Sequence, residues 1–152
     1  MRSLLAVIIL VVLGAVSVTA QGSGFGAGVM IGEPTGISLK LWTARTMAFD
    51  AGLAWSFDKY AEMHLHADYL FHKFGLIPVE KGQLPLHYGI GGRVKFAEGR
   101  HDDWIGVRFP VGLDYHFADT PIELFIEIVP ILDLAPDTEL DFNGGFGARY
   151  YF

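Results

Sequence analysis

The sequence predicts an all-β fold, and three observations support that prediction. Apolar and polar residues alternate in eight separate segments, which is typical of strands because successive side chains point to opposite faces of a sheet. Short clusters of Gly, Pro, Asp and Thr separate these segments, as expected of turns. Beyond residue 20, the sequence has no convincing helical period of 3.6 residues.

The eight predicted strands follow one another along the chain, and turn-forming residues connect them. The strands cover residues 24–31, 36–42, 46–57, 63–74, 86–96, 104–117, 122–131 and 141–152, and the longest connection is 75–85. The fourth strand shows the pattern clearly, since the apolar residues at odd positions 63–71 alternate with His64, His66 and Asp68. Each strand therefore has one apolar face, rich in aromatic residues, and one face of glycine and ionisable residues.

The first 20 residues have the features of a secretory signal peptide. Arg2 supplies a positive charge, residues 4–16 form an uninterrupted apolar run, and Val18-Thr19-Ala20 loosely matches a small-residue cleavage site. The apolar run is shorter than the roughly 20 residues that a membrane-spanning helix needs. We therefore predict a signal peptide at 1–20 and one exported domain at 21–152.

The composition excludes several classes of protein. A length of 152 residues allows one domain, and the formal net charge of −6 argues against a nucleic-acid-binding protein, which normally has a basic face. The absence of cysteine from the sequence excludes disulfide frameworks, thiolate zinc sites and cysteine nucleophiles. The charged fraction of 18% is low for an ordinary soluble domain.

The polar face of the predicted strands indicates which face is buried. It holds many glycines, five basic residues and five acidic residues, a balanced set that suits a narrow interior in which charges pair. An eight-stranded barrel has an interior that side chains can fill, and closure pairs every backbone group in lipid. We therefore predict a single closed antiparallel transmembrane β-barrel of eight strands, with an apolar outer face.

The predicted interior network consists of the polar residues on that face. Its members are Lys40, Asp50, His64, His66, Asp68, Arg93, Lys95, Arg108, Asp114, His116, Glu123, Glu127 and Arg149. Aromatic residues near strand ends are expected to form the two interfacial girdles of a membrane barrel. These are Trp42, Trp55, Phe57, Phe74, Phe96, Trp104, Phe117 and Tyr150.

Candidate chemistry in the sequence has simpler structural interpretations. His64, His66 and His72 share a face with Asp68, so a metal site is geometrically possible, but hydrogen bonds to neighbouring carboxylates are the simpler interpretation. The run His101-Asp102-Asp103 suggests a solvated turn rather than a protease centre. The serines after the leader, none in a recognisable nucleophile setting, are Ser23, Ser38 and Ser56. We therefore expect no catalytic residue, cofactor or metal site.

The last strand carries a further indication. Its apolar residues Phe146, Tyr150 and Phe152 occupy alternate positions back from a terminal Phe, which resembles the C-terminal strand signal received by the bacterial outer-membrane assembly machinery. Over residues 21–152 the chain resembles small outer-membrane barrels of the OmpA/OmpX-like architecture. The segments 32–36, 66–70, 88–93 and 127–130 are similar to a group of short bacterial barrel proteins. This resemblance implies an outer-membrane barrel and transfers no catalytic residues.

Together these features predict a non-enzymatic protein of the cell outer membrane with a structural or interaction role. The expected partners are outer-membrane lipids, lipopolysaccharide and the barrel assembly machinery, with no nucleic acid, and the expected state is a monomer. Two alternatives remain open at this point. One is a narrow channel, and the other is a soluble, exported, lipocalin-like barrel that binds an apolar ligand in its interior.

Overall fold

The computed structural model describes residues 24–33, 35–56, 62–97 and 103–152. The predicted signal peptide at 1–20 lies outside these residues, as do Ser23, Phe57, His101 and Asp102. The described residues form an antiparallel sheet of nine strands. These are β1 (Phe25–Glu33), β2 (Gly36–Trp42), β3 (Met47–Ser56), β4 (Glu62–Lys73), β5 (Leu86–Ala97), β6 (Trp104–Arg108), β7 (Val111–His116), β8 (Ile122–Ala135) and β9 (Glu139–Tyr151).

The sheet closes into a barrel with eight strand positions. Each strand from β1 to β5 pairs with the next in sequence, and β8 pairs with β9. Strands β6 and β7 both lie between β5 and β8 and together fill one position. The pairing of β1 with β9 closes the ring, so the predicted closed, all-β, eight-stranded architecture is confirmed.

The division between β6 and β7 has a simple physical cause. The sequence predicts one strand at 104–117, but Pro110 has no amide hydrogen to donate to the ladder. The ladder continues across the break on the groups that remain, because Phe109 N donates to Pro130 O at 2.9 Å and Gly89 N donates to Pro110 O at 3.0 Å. The break therefore leaves the closure of the barrel intact.

Strand β8 extends further than the sequence predicted. The predicted strand ends at residue 131, whereas β8 continues to Ala135 and pairs with β9 as far as Asp133 and Glu139. The alternation in fact continues there, since Leu132 and Leu134 are exposed and Asp133 is buried. This extension adds one carboxylate to the interior.

The distribution of side chains is the reverse of that in a soluble globular protein. Among the described residues, fifteen polar or charged residues are buried against eight apolar ones. Large apolar side chains instead cover the outside, such as Ile126 at 57% exposure and Ile128 at 64%. In the described part of the chain, no helix is long and apolar enough to cross a membrane.

The two ends of the barrel differ in their connections. At one end, which we call the terminus end, lie Gly24, Phe152 and the connections 43–46, 74–85 and 117–121. At the other end, the turn end, the described residues include the connection 136–138 between β8 and β9. The twelve-residue connection 74–85, which we call the terminus-end loop, is the longest between two strands within the described residues.

Candidate functional site: the polar interior of the barrel

The strand register determines which polar side chains meet in the interior. Lys40 on β2 is opposite Asp50 on β3, and Asp50 is opposite Asp68 on β4. Two carboxylates directly opposite each other on neighbouring strands repel. Here each carboxylate binds an arginine beyond its neighbouring strands, because Asp68 is paired with Arg108 across β5 and Asp50 with Arg149 across β1 and β2. These pairs stabilise a row of carboxylates that would otherwise repel.

Glycines provide the space that these long side chains occupy. A Cβ at Gly52 would meet the ring of His66, one at Gly91 would meet the carboxylate of Asp68, and one at Gly112 would meet the ring of His87. Interior glycines therefore lie beside the largest polar groups. This alternation of small and large residues fills the barrel, as expected for a narrow interior.

The terminus-end cluster is the densest group of charges in the interior, and it consists of Lys40, Asp50, Asp114, Glu123 and Arg149. The Lys40 ammonium lies 3.0 Å from Asp114 and 3.2 Å from Glu123. The Arg149 guanidinium donates to both Glu123 and Asp50. All five side chains are at most 5% exposed, and each charged group directly contacts at least one group of opposite charge.

Other side chains contact the remaining oxygen and nitrogen atoms of this cluster. Arg149 Nε donates to Ser38 Oγ at 2.8 Å, and the Tyr151 hydroxyl donates to Glu123 at 2.7 Å. His72 Nε2 lies 3.2 Å from Asp114, and His87 Nδ1 lies 3.0 Å from the other oxygen of that carboxylate. These contacts make the cluster a connected network, in which each member stabilises its neighbours.

Trp42 is part of the interior, so its predicted place in an outer aromatic girdle is wrong. It is 8% exposed, and its ring lies 4.7 Å from the Lys40 ammonium and 4.3 Å from the ring of His72. The reason is the period of the strand, which places Trp42 on the same face as Lys40. Trp104 is half-buried on the face of β6 that carries Arg108. Phe74 was also predicted in the girdle, but its ring lies at the mouth of the interior, 6.3 Å from that of Trp42 and 6.2 Å from that of His116. The predicted girdle residues that are exposed on the outer face are Trp55, Phe96, Phe117 and Tyr150.

A second ion pair lies at the middle of the interior. Arg108 Nε donates to both oxygens of Asp68, at 2.9 and 3.1 Å, and its Nη2 lies 3.8 Å from Glu127. His87 Nε2 contacts Glu127 at 3.3 Å, which connects this pair with Asp114 of the terminus-end cluster. The interior charges thus form one chain of contacts from Asp68 to the terminus-end cluster.

The turn-end group consists of Arg93, Lys95, Asp133, Asp141 and Asn143. Arg93 donates to Asp133 through Nε at 3.0 Å and through Nη2 at 2.5 Å, and its Nη2 also donates to Asp141 at 2.8 Å. The Arg93 and Asp133 side chains are buried, whereas the side chain of Asp141 is 43% exposed and that of Lys95 24%. This group therefore borders water.

Asp133 is absent from the predicted interior network because the predicted strand ended at residue 131. The alternation of Leu132 and Leu134 with Asp133 is the signal that could have found it. The structure places the other predicted residues on the interior face, where His64, like most of them, is buried. Lys95, His116 and Glu127 are half-buried. The predicted assembly-signal residues are exposed on the outer face, and they are Phe146, Tyr150 and Phe152.

Two groups of side chains have the composition of a metal site. Asp50, His66 and Asp68 lie together, and so do Asp114, His116 and Glu123. In the first group both carboxylates are engaged by arginines, and in the second the Lys40 ammonium contacts both carboxylates. Side-chain cations therefore already neutralise these oxygens, and the arrangement favours ion pairing over metal ligation.

Ser38 lies on the interior face of β2. It is buried, and its hydroxyl accepts a hydrogen bond from Arg149. A catalytic serine instead needs a base that accepts its proton. The contacts of Ser38 are those of a structural hydroxyl.

The interior opens into a cavity at each end. The turn-end cavity has a volume of about 310 Å³, and Glu62, His64, Lys95 and Asn143 are among its lining residues. The terminus-end cavity has a volume of about 490 Å³ and is lined in part by Trp42, Phe74, His116 and Tyr151. The buried ion pairs lie between these two cavities. Such an arrangement can fill and brace a barrel, and it separates the two openings.

Comparisons with known proteins give a structural relative. No family model matches the sequence, and no curated protein matches it. The N-terminal β-barrel domain of Pseudomonas aeruginosa OprF, known from a crystal structure, has a similar fold, with a TM-score of 0.59 and 12% sequence identity. The similarity covers 88% of this chain and 100% of that domain. At this identity it shows that the two share a barrel fold.

Proposed function

We propose that this chain is an integral outer-membrane β-barrel protein with a filled polar interior, acting as a non-enzymatic structural or interaction element. The observation that carries the proposal is the reversal of apolar and polar residues between outside and inside. Exposed apolar groups such as Phe142 and Phe146, each more than half exposed, recur along strand after strand. Contiguous apolar patches on soluble monomers rarely exceed a few hundred Å².

The closed ladder supports the same proposal. A bilayer contains no water that could pair with free amide and carbonyl groups, so a β-sheet is stable there only when no edge is left open. The pairing of Gly26–Glu33 on β1 with Gly144–Tyr151 on β9 removes that edge. Together with the apolar outer face, the closed barrel fold, which the OprF domain shares, and the signal peptide predicted at 1–20 support the outer membrane as the proposed location.

The buried ion pairs make a narrow channel the less favoured function. Arg149, Glu123 and Lys40 cross the interior between the two cavities, and opening a path there would require separating buried opposite charges. We therefore expect no steady conductance from the wild-type protein in planar bilayers. Replacing Arg93 or Arg108 by Ala is expected to raise conductance if ion pairs block the interior.

The lipocalin-like alternative does not fit the interior. An apolar ligand needs a cavity lined mainly by apolar side chains. The described interior instead holds charged side chains such as Arg93, Arg108 and Glu123, all at most 2% exposed.

The proposed partners follow from the outer face. Lipids and lipopolysaccharide would contact the exposed apolar side chains, and the assembly machinery would receive the strand that ends Phe146, Tyr150 and Phe152. Since charges are paired inside each barrel, a second copy is not needed to neutralise them. We accordingly propose a monomer.

Heat modifiability on cold SDS gels, using protein from outer-membrane fractions, tests the proposal. A closed lipid-embedded barrel should migrate fast without boiling, slow after boiling, and leave the membrane fraction only with detergent. A protein that is released without detergent and shows no shift on boiling would contradict the membrane proposal. A matched barrel variant, Arg149→Ala, should keep the fractionation but lower the temperature at which the band shifts.

A further inference from the structure

The terminus-end loop exposes apolar residues where connecting segments are usually polar. Leu76 is 61% exposed, and Ile77 and Val79 are each 37% exposed. By contrast, the connection at the turn end consists of Pro136, Asp137 and Thr138. Burial of apolar side chains away from water is favourable, so three exposed apolar side chains in one short segment indicate an apolar environment around it.

The loop is held against the barrel rather than extended away from it. Gln83 exchanges two backbone hydrogen bonds with His116, at 3.0 and 2.8 Å, and Asp114 N donates to Pro85 O at 3.0 Å. Gly75 and Gly82 have φ angles of +80° and +78°, which bend the chain near the two ends of the apolar segment. At Gly82 a Cβ would in addition meet the carbonyl of His116.

The far part of the loop contacts the outer face of the barrel. The Tyr115 hydroxyl donates to Lys81 O at 2.8 Å, and Tyr115 lies on the outer face of β7. Its ring packs edge-on against that of Phe117, with centroids 4.9 Å apart, and Phe117 is 41% exposed. The loop is therefore connected through Tyr115 to the aromatic end of the apolar outer face.

We propose that residues 76–79 insert into the interfacial layer of the bilayer and anchor the terminus end of the barrel to lipid. This inference rests on the proposed function, because the occupant is the same bilayer that covers the outer face. Aromatic and branched apolar side chains are well suited to the boundary between headgroups and acyl chains. The turn end, with its polar 136–138 connection, has no equivalent segment among the described residues.

Site-directed spin labelling can test this proposal directly, since the sequence contains no cysteine. Single variants Leu76→Cys, Ile77→Cys and Val79→Cys are labelled with a nitroxide in the full chain and refolded into vesicles of dioleoylphosphatidylcholine. Collision of each label with oxygen and with a water-soluble nickel complex reports its depth. Asp137→Cys is the control variant in the connection at the other end of the barrel. Ile128→Cys is the reference variant on the outer face.

The expected result is a higher oxygen-to-nickel collision ratio at 76, 77 and 79 than at 137, approaching the ratio at 128. If label 128 lies in lipid while 76, 77 and 79 are as accessible to nickel as 137, the anchor is excluded and the proposed function stands. If 128 is also accessible to nickel, both proposals fail. Labels at 76–79 that are shielded from both reagents would indicate a protein contact and would overturn the lipid assignment.

Discussion

The two charged regions of the interior use the same chemistry in different surroundings. In the terminus-end cluster, Lys40, Asp114, Glu123, Asp50 and Arg149 are all at most 5% exposed. In the turn-end group the buried Arg93 contacts Asp141, whose side chain is 43% exposed. At the turn end the carboxylate of Asp141 can be hydrated when it loses its partner, whereas every carboxylate of the terminus-end cluster is buried. Burial therefore determines how much each pair matters for stability.

The largest loss of stability is expected from Arg149→Ala. Removing this guanidinium leaves the buried carboxylate of Asp50 without its arginine, and it leaves Glu123 with Lys40 at 3.2 Å as its remaining cation. Breaking a buried ion pair from one side costs about 3–5 kcal/mol. Urea unfolding of the refolded protein in lipid vesicles would measure the loss. The double variant Arg149→Ala, Asp50→Ala is the control, because it also removes one of the stranded carboxylates and should recover part of the stability.

A smaller loss is expected from Arg93→Ala. Asp133 would stay buried without its bidentate partner, but Asp141 is open to water and Lys95 lies 4.0 Å from it. We expect the free energy of unfolding to fall by about 2 kcal/mol, which is within the range for leaving one buried polar group unpaired. The same unfolding experiment applies. A loss equal to that of Arg149→Ala would show that exposure does not distinguish the two regions.

Replacing an interior glycine by alanine tests how tightly side chains fill the interior. In Gly52→Ala the new methyl group would meet the ring of His66 and the terminal methyl of Met30 at 2.8 Å, so side chains in the interior must shift. Overpacking of this kind costs about 1 kcal/mol or more. Gly92→Ala is the matched control, since its nearest contact is at 3.7 Å. Equal stability of the two variants would argue against a tightly filled interior.

The smallest change in stability is expected from Lys81→Met, in the terminus-end loop. Lys81 and Asp119 form an ion pair at 2.8 Å, but their side chains are about three-quarters exposed. Such pairs contribute about 0–1 kcal/mol. Lys81→Met should therefore leave the unfolding midpoint nearly unchanged. A loss comparable to that of Arg93→Ala would mean that the terminus-end loop depends on this pair.

The sequence alone was sufficient for the fold class, the number of strand positions and the assignment of residues to inner and outer faces. These features depend on a period of two, which is local and readable in runs such as Met63–Phe71. The same local rule would have placed Trp42 inside, had it been applied in preference to the expectation of an aromatic girdle. It would also have found Asp133, had the predicted strand not been ended at residue 131, four residues before the end of β8.

Only the tertiary structure decided which charges pair. Arg149 on β9 reaches Asp50 on β3, 99 residues away in sequence, because closure and the tilt of the strands bring the two walls together. Balanced composition predicts that the interior charges are neutralised, but it does not specify partners, since every basic side chain has several acidic candidates. The position of the terminus-end loop likewise depends on the contact of Tyr115 with Lys81. Strand faces follow from local geometry, whereas contacts across a barrel exist only once the ring has closed.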